Sequence, residues 1–265
     1  VVMRIALCQI VSGPDPEANL ELIADGIRRA AEEGADLAVF PEAAMACFGV
    51  KLGPLAEPLD GPWATEVRRL ANEAGIAVVA GMFTPADDGR VTNTLLITGR
   101  GLDTSYDKIH LFDAFGFAES RTVAPGSKPV VVTLDGVGIG FTTCYDVRFP
   151  GLFQKLADEG ASVIVTPASW GSGEGKVEQW ELLVRARALD STSWIVACGQ
   201  GDPRSIGREP SGKAPTGVGH SLVATPLGVV HAELGAEPEV KVVDIDPTTV
   251  EPARQAVPVL TNRRF

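Results

Sequence analysis

A chain of 265 residues with 45% hydrophobic and 22% charged side chains can bury a sizeable core, and its composition is that of a globular rather than a disordered protein. The formal net charge of -11 and pI near 4.8 oppose a nucleic-acid surface, which needs clustered Lys and Arg. Four cysteines without CxxC spacing fit a reduced, cytoplasmic protein better than a disulfide scaffold, and the opening VVMRIALCQI resembles neither a secretion signal nor a membrane span.

MRIALCQI (3–10) is an apolar run of β-formers closed by the breakers Ser12, Gly13, Pro14, Asp15 and Pro16, and predicts a first strand and loop. Leu20, Ile23, Ile27, Ala30 and Ala31 recur at helical spacing between Asn19 and Glu33, ahead of Gly34. LAVFPE predicts a second strand ending at Pro41, Pro62 to Ala74 a helix stopped by Gly75, and IAVVAGMF the next strand. TLLIT and VVVTL bracket a long middle loop. The alternation continues through VGIGFTTC, a helix from Phe153 to Glu159, ASVIVTPAS, a helix from Val177 to Asp190, and SWIVACGQ. HSLVATP, GVVHAEL and VKVVDID read as an antiparallel meander, and the tail from Pro247 to Phe265 as an irregular segment able to pack on a partner. Continuous apolar strands between amphipathic helices are covered on both faces, so the fold class is a layered α/β sandwich. With no internal repeat or low-complexity linker, residues 1–265 read as one domain.

Three polar residues stand where the chain leaves an apolar strand: Glu42 after LAVFP, Lys108 in SYDKIHLF, and Cys144 after VGIGFTT. In open α/β sheets such strand ends converge into sites. A thiol needs its proton removed before it attacks, so a carboxylate, an amine and a thiol in one place can attack a carbonyl: Glu42 as base, Lys108 as stabiliser of the oxyanion, Cys144 as nucleophile. The turn at CYDVRFP aims the Cys144 side chain outward and leaves the Tyr145 N–H free for an oxyanion. Singly, a strand-end cysteine is a core residue, Glu42 a turn residue and Lys108 a surface lysine; the chemistry rests on the combination.

That combination resembles the nitrilase superfamily of carbon–nitrogen hydrolases. The matching motifs are FPEAA around Glu42, YDKIHLF around Lys108, and CYDVRFP followed by PASW around Cys144, at separations of 66 (42 to 108) and 36 (108 to 144) residues. The flanks are most similar to the omega-amidase and deaminated-glutathione amidase branch, which cuts short linear amides bearing a carboxylate. The resemblance implies a four-layer α-β-β-α sandwich, a Glu42–Lys108–Cys144 triad, and Glu119 in FAESRTVAPG as a second glutamate positioning Lys108, where the structural alternative is a loop salt bridge. It also implies hydrolysis through a thioester with release of ammonia, no metal or organic cofactor, and a homodimer or higher homo-oligomer. The partner expected is a small amide, with neither nucleic acid nor membrane.

Arg148 presents a planar fork that either orients the turn or holds a substrate carboxylate, and Trp170 either lines the pocket or packs in the core. Asp146 has the same two readings as Arg148, and Arg185 and Arg187 read as structural. GREPSGKA imitates a phosphate loop, but Ala214 stands where a Ser or Thr would bind metal and Pro215 opposes a following helix, which leaves a surface loop. An N-carbamoyl amine hydrolase or nitrilase would use the same triad. A catalytically inactive scaffold of the same fold is the alternative of another class, and a serine hydrolase is disfavoured because no GxSxG occurs.

Overall fold

A computed structural model describes residues 2–210 and 212–265. In chain order the first part contains β1 (Met3–Gln9), α1 (Pro16–Glu32), β2 (Leu37–Val39), α2 (Pro62–Ala74), β3 (Ala77–Pro85), β4 (Val91–Gly99), β5 (Leu102–Asp107), β6 (Asp113–Ala114), β7 (Phe117–Ala118) and β8 (Val123–Ala124). The second contains β9 (Val131–Leu134), β10 (Val137–Phe141), α3 (Pro150–Asp158), β11 (Val163–Ala168), α4 (Lys176–Ser191), β12 (Trp194–Gly199), β13 (Leu222–Ala224), β14 (Val230–Glu233), β15 (Glu239–Ile245), α5 (Val250–Ala256) and α6 (Val259–Asn262).

One sheet has the order β15-β1-β2-β3-β4-β5 with β8 paired to β4, and the other the order β14-β13-β12-β11-β10-β9. The period-2 alternation of a strand explains how they stack. Ile5, Leu7, Leu37, Val39 and Val79 point into the core between the sheets, where they meet Ile139, Phe141, Val163 and Val196 from the second sheet. Their neighbours Ala6, Cys8, Ala38, Phe40 and Val78 point the other way, onto α1 and α2. The second sheet buries its outer face, with Ile164 and Ile195, under α3 and α4. The result is the expected α-β-β-α sandwich. Each Leu, Ile or Val so buried contributes about 1.5–3 kcal/mol, and a one-residue slip would exchange the two faces of a strand, so register is strongly specified.

Several boundaries differ from the sequence reading. Asp15 and Pro16, taken there as breakers, cap and start α1: the Asp15 carboxylate accepts from the Glu17 N–H at 3.0 Å, and Pro16 occupies the first turn, where its missing N–H costs nothing. Pro150 starts α3 in the same way, three residues before Phe153. The middle loop is not structureless. It holds β5, the β6–β7 hairpin and β8, and β5 is an edge strand with mostly exposed side chains, so Lys108 follows a polar strand rather than an apolar one.

The meander stops at β14. The next strand, β15, crosses to the first sheet and pairs antiparallel with β1 over Met3↔Ile245 to Gln9↔Glu239. The tail is helical in α5 and α6 and packs on its own chain, with Arg254 Nη2 donating to the Ala161 carbonyl at 2.8 Å. The phosphate-loop look-alike has a short 3-10 turn before Gly207 rather than a strand; its Ser211 lies outside the described residues. Among the described residues no helix is long and apolar enough to cross a membrane.

Candidate active site

Glu42 leaves the end of β2 on a tight turn in which Ala43 adopts a left-handed backbone, φ 59°. That turn lies directly on β3: a Cβ on Gly81 would come within 2.6 Å of the Ala43 nitrogen, so only glycine permits the approach. From the other sheet, Gln200 Nε2 donates to the Glu42 carbonyl at 3.0 Å and to Ser12 Oγ at 2.8 Å. The Glu42 carboxylate is completely buried and fully engaged. Oε1 accepts from the Ser169 N–H at 2.9 Å, while Oε2 accepts from Lys108 Nζ at 3.0 Å and Asn93 Nδ2 at 2.8 Å.

Lys108 is buried and reaches a second carboxylate, Glu119 Oε1, at 2.8 Å; that oxygen also accepts from the Phe112 N–H at 2.8 Å. The structure thus brings Glu119 to the lysine in a buried ion pair. Asn93, on β4, closes the cluster by donating to both Glu42 and Glu119, at 2.8 and 3.0 Å. Burial opposes the lysine's charge, but Glu119, Glu42 and the nearby Cys144 outweigh it and hold the ammonium well above its ordinary pKa. Glu42 is raised, because desolvation and the neighbouring Glu119 outweigh Lys108 and Asn93.

Cys144 opens a 3-10 turn, Cys144–Arg148, with a left-handed backbone of its own, φ 47°. Such strain in a non-glycine residue persists only where the surroundings enforce it. Asp146 supplies the enforcement. Its Oδ2 accepts from the Thr143 N–H at 2.8 Å and from the Tyr106 hydroxyl at 2.5 Å, and its Oδ1 accepts from the His110 N–H at 3.0 Å and meets His110 Nδ1 at 2.8 Å. One buried carboxylate therefore ties the turn carrying Cys144 to the segment that follows Lys108. This settles Asp146 as structural. The Cys144 thiol donates to the Ser169 carbonyl at 3.7 Å, and burial together with Glu42 raises it well above an ordinary thiol, so at rest it keeps its proton. Tyr145 is the second residue of the turn, and its N–H precedes the turn's first hydrogen bond, from the Asp146 N–H to the Thr143 carbonyl at 3.0 Å.

A cavity of about 10 Å³ sits against Glu42, Lys108, Glu119 and Cys144, room for about one water. Phe48, Phe112 and Phe117 form its apolar side, and Trp170, Gly171 and Lys176 the side facing the second sheet. Trp170 therefore lines the pocket, and it also packs on Trp180 with ring centroids 5.0 Å apart, so both of its sequence readings hold. Arg148 does not line the cavity. Its guanidinium carbon stands 5.2 Å from the centre of the Trp170 ring, and Nη2 donates to Gln179 Oε1 at 2.8 Å. Arg187 donates to the Val147 carbonyl at 3.0 Å and pairs with Asp190, and Arg185 donates to the Gly228 carbonyl, so both are structural. The sequence reading missed three participants. Asn93 is hidden inside a strand, Lys176 opens a helix, and Ser169 acts through its backbone N–H, which no residue type announces.

The match to the carbon-nitrogen hydrolase family covers residues 4–255. The chain is 58% identical to Hydrolase Rv0480c of Mycobacterium tuberculosis, over 98% of this chain and 95% of that protein. It is 34% identical to the deaminated glutathione amidase of Escherichia coli O157:H7, over 94% and 92%. It superposes on Saccharomyces cerevisiae Nit3, a member of branch 10 of the nitrilase superfamily, with a TM-score of 0.85 at 29% identity, covering 100% of this chain and 97% of that one. Fold, motif order and these likenesses together place the chain in the carbon–nitrogen hydrolase family of the nitrilase superfamily, as an amidase-type hydrolase.

Proposed function

We propose that the protein hydrolyses a small linear amide bearing a carboxylate, through a thioester on Cys144. The observation that carries this reading is the buried Lys108 ammonium held between Glu42 and Glu119 at the cavity that Cys144 also lines. Glu42, raised in pKa, takes the thiol proton as sulfur bonds to the amide carbon. Lys108 and the Tyr145 N–H stabilise the oxyanion, and Glu119 keeps Lys108 in place. Glu42 then gives the proton to the amide nitrogen, the C–N bond breaks and ammonia leaves. Water, deprotonated by Glu42, attacks the thioester, and the released thiolate regains a proton. The sum is amide plus water to carboxylic acid plus ammonia.

Ammonia release from short dicarboxylic monoamides, N-carbamoyl amines and simple nitriles, with wild type beside Cys144→Ala, tests this reading. Release from the monoamides that disappears in the variant is expected. Release confined to carbamoyl compounds or nitriles would replace the substrate class, and none from any compound would leave the inactive scaffold.

We also propose a homodimer formed through α4. Leu182 and Leu189 are 65% and 51% exposed on that helix, and the turn Leu227–Val229 beside Leu189 exposes two more apolar side chains. Molar mass in solution, compared with that of a Leu182→Glu variant, tests it.

A further inference from the structure

Two buried lysines face the catalytic cavity, and their partners differ. Lys108 is bonded to two carboxylates. Lys176, the first residue of α4, is 7% exposed, yet among the described residues no carboxylate or other acceptor meets its ammonium. What surrounds it is aromatic: Nζ lies 3.7 Å from the centre of the Phe115 ring, 5.3 Å from Trp170 and 5.6 Å from Phe112. The loop before it is built to hold this position. Gly173 and Gly175 have left-handed backbones, φ 144° and 71°, a Cβ on Gly173 would press on the lysine stem at 3.3 Å, and the Trp170 indole donates to the Lys176 carbonyl at 2.7 Å.

Ring faces attract a cation but accept none of its three N–H bonds, which leaves those bonds to water or to an arriving anion. Buried charges in folded proteins are paired. Arg148, behind Trp170, adds charge of the same sign, and burial with that neighbour lowers the Lys176 pKa. Lys176 therefore offers this side of the pocket a cation that no described carboxylate bonds, in reach of the vestibule that Glu174 and Lys213 also line. Lys176 also lines the adjoining outer cavity of about 400 Å³, so it stands at the neck between that vestibule and the reacting thiol.

We infer that Lys176 is the specificity-determining residue of the pocket, the cation that receives the substrate's carboxylate while Cys144 holds the amide carbon at the other end. The inference deepens the proposed amidase reading and rests on it for the identity of the substrate. It moves the role of anion holder, which the sequence suggested for Arg148, to a residue whose ammonium faces the cavity. Phe112 and Trp170 line the space between the two ends, which has to widen beyond its volume of about 10 Å³ to admit the short methylene chain of a dicarboxylic monoamide.

The test is steady-state kinetics of wild type, Lys176→Met and Lys176→Arg on glutaramate and on butyramide, a neutral amide of similar length. For Lys176→Met, the KM for glutaramate should rise about 100-fold, with kcat and the butyramide kcat/KM within about 3-fold, as expected for losing one charge-assisted contact to substrate. Lys176→Arg should recover part of the loss. Equal losses on both amides, or no loss on glutaramate, would overturn the inference.

Calorimetric binding of glutarate to wild type and Lys176→Met needs no turnover, and separates the two claims. Binding weakened about 30-fold in the variant supports Lys176 even if no amide is cleaved, in which case the catalytic reading alone fails. Equal binding, or no binding to wild type, overturns Lys176 and leaves any Cys144-dependent amidase activity standing.

Discussion

The two walls of the candidate catalytic cavity have opposite characters. The first sheet contributes Glu42, Asn93, Lys108 and Glu119, a cluster in which each charged group finds its partners inside the protein. The second sheet contributes Cys144 on a strained turn, the Tyr145 N–H ahead of its first hydrogen bond, and Lys176, whose ammonium faces three rings and no bonded carboxylate. One wall is a network in which every charged group is paired, although Asn93 Oδ1 has no partner among the described residues. The other keeps its polar valences open for something that arrives.

Mutations should divide the same way. The largest effect expected is on the open wall: Cys144→Ala should reduce ammonia release by about 10⁴-fold or more and leave thermal stability near that of wild type, since a small buried side chain is replaced by another; turnover and melting curves check both. On the paired wall, Lys108→Met should lower kcat by about 10³-fold and also destabilise the fold by about 3–5 kcal/mol, because two carboxylates lose their buried counter-charge. Urea unfolding measures that difference, and an unchanged midpoint would mean that the cluster relaxes or takes up protons.

Asn93→Ala removes the neutral donor shared by both carboxylates, at a cost of about 1–3 kcal/mol. Since that donor favours the charged form of Glu42, its loss should raise the Glu42 pKa further and shift the acid limb of kcat/KM upward. In wild type that limb should already lie above the ordinary carboxylate value of 4.5, because a Glu42 acting as the proposed base must be ionised and burial resists ionisation. The stability linkage has the same origin: a carboxyl whose pKa rises on folding stabilises the fold below its unfolded value and loses that contribution as pH rises through the folded one. Glu42→Gln should therefore lose less stability than wild type between acid and neutral pH. The smallest effect belongs to Arg148→Ala, a few-fold change in kcat/KM at most, since Arg148 supports Trp170 from outside the cavity. A loss as large as that of Lys176→Met would restore Arg148 as the anion holder.

The strands, the principal helices and four site residues were legible in the chain because each has a one-dimensional signature. Apolar runs covered on both faces read as sandwich strands, and Glu42, Lys108, Glu119 and Cys144 are reactive residue types inside distinctive motifs. What was illegible had no such signature. β5 is a polar edge strand, and β6, β7 and β8 are two residues long, too short for a period to show. Asp15 and Pro16 looked like breakers because a helix cap uses the same residues as a turn.

Residue type and order determined the fold class and brought Glu42, Lys108 and Cys144 into consideration, since burial patterns and reactive groups are properties of the chain itself. Only the tertiary structure decided which groups meet. Asn93 looks like any polar residue of a strand until Glu42 and Glu119 converge on it, and Lys176 looks like a solvated helix start until Phe112, Phe115 and Trp170 close around it. A side chain's charge is written in the sequence, but its pKa, its partners and the charge it still lacks depend on neighbours many residues away, and those exist only once the two sheets have packed.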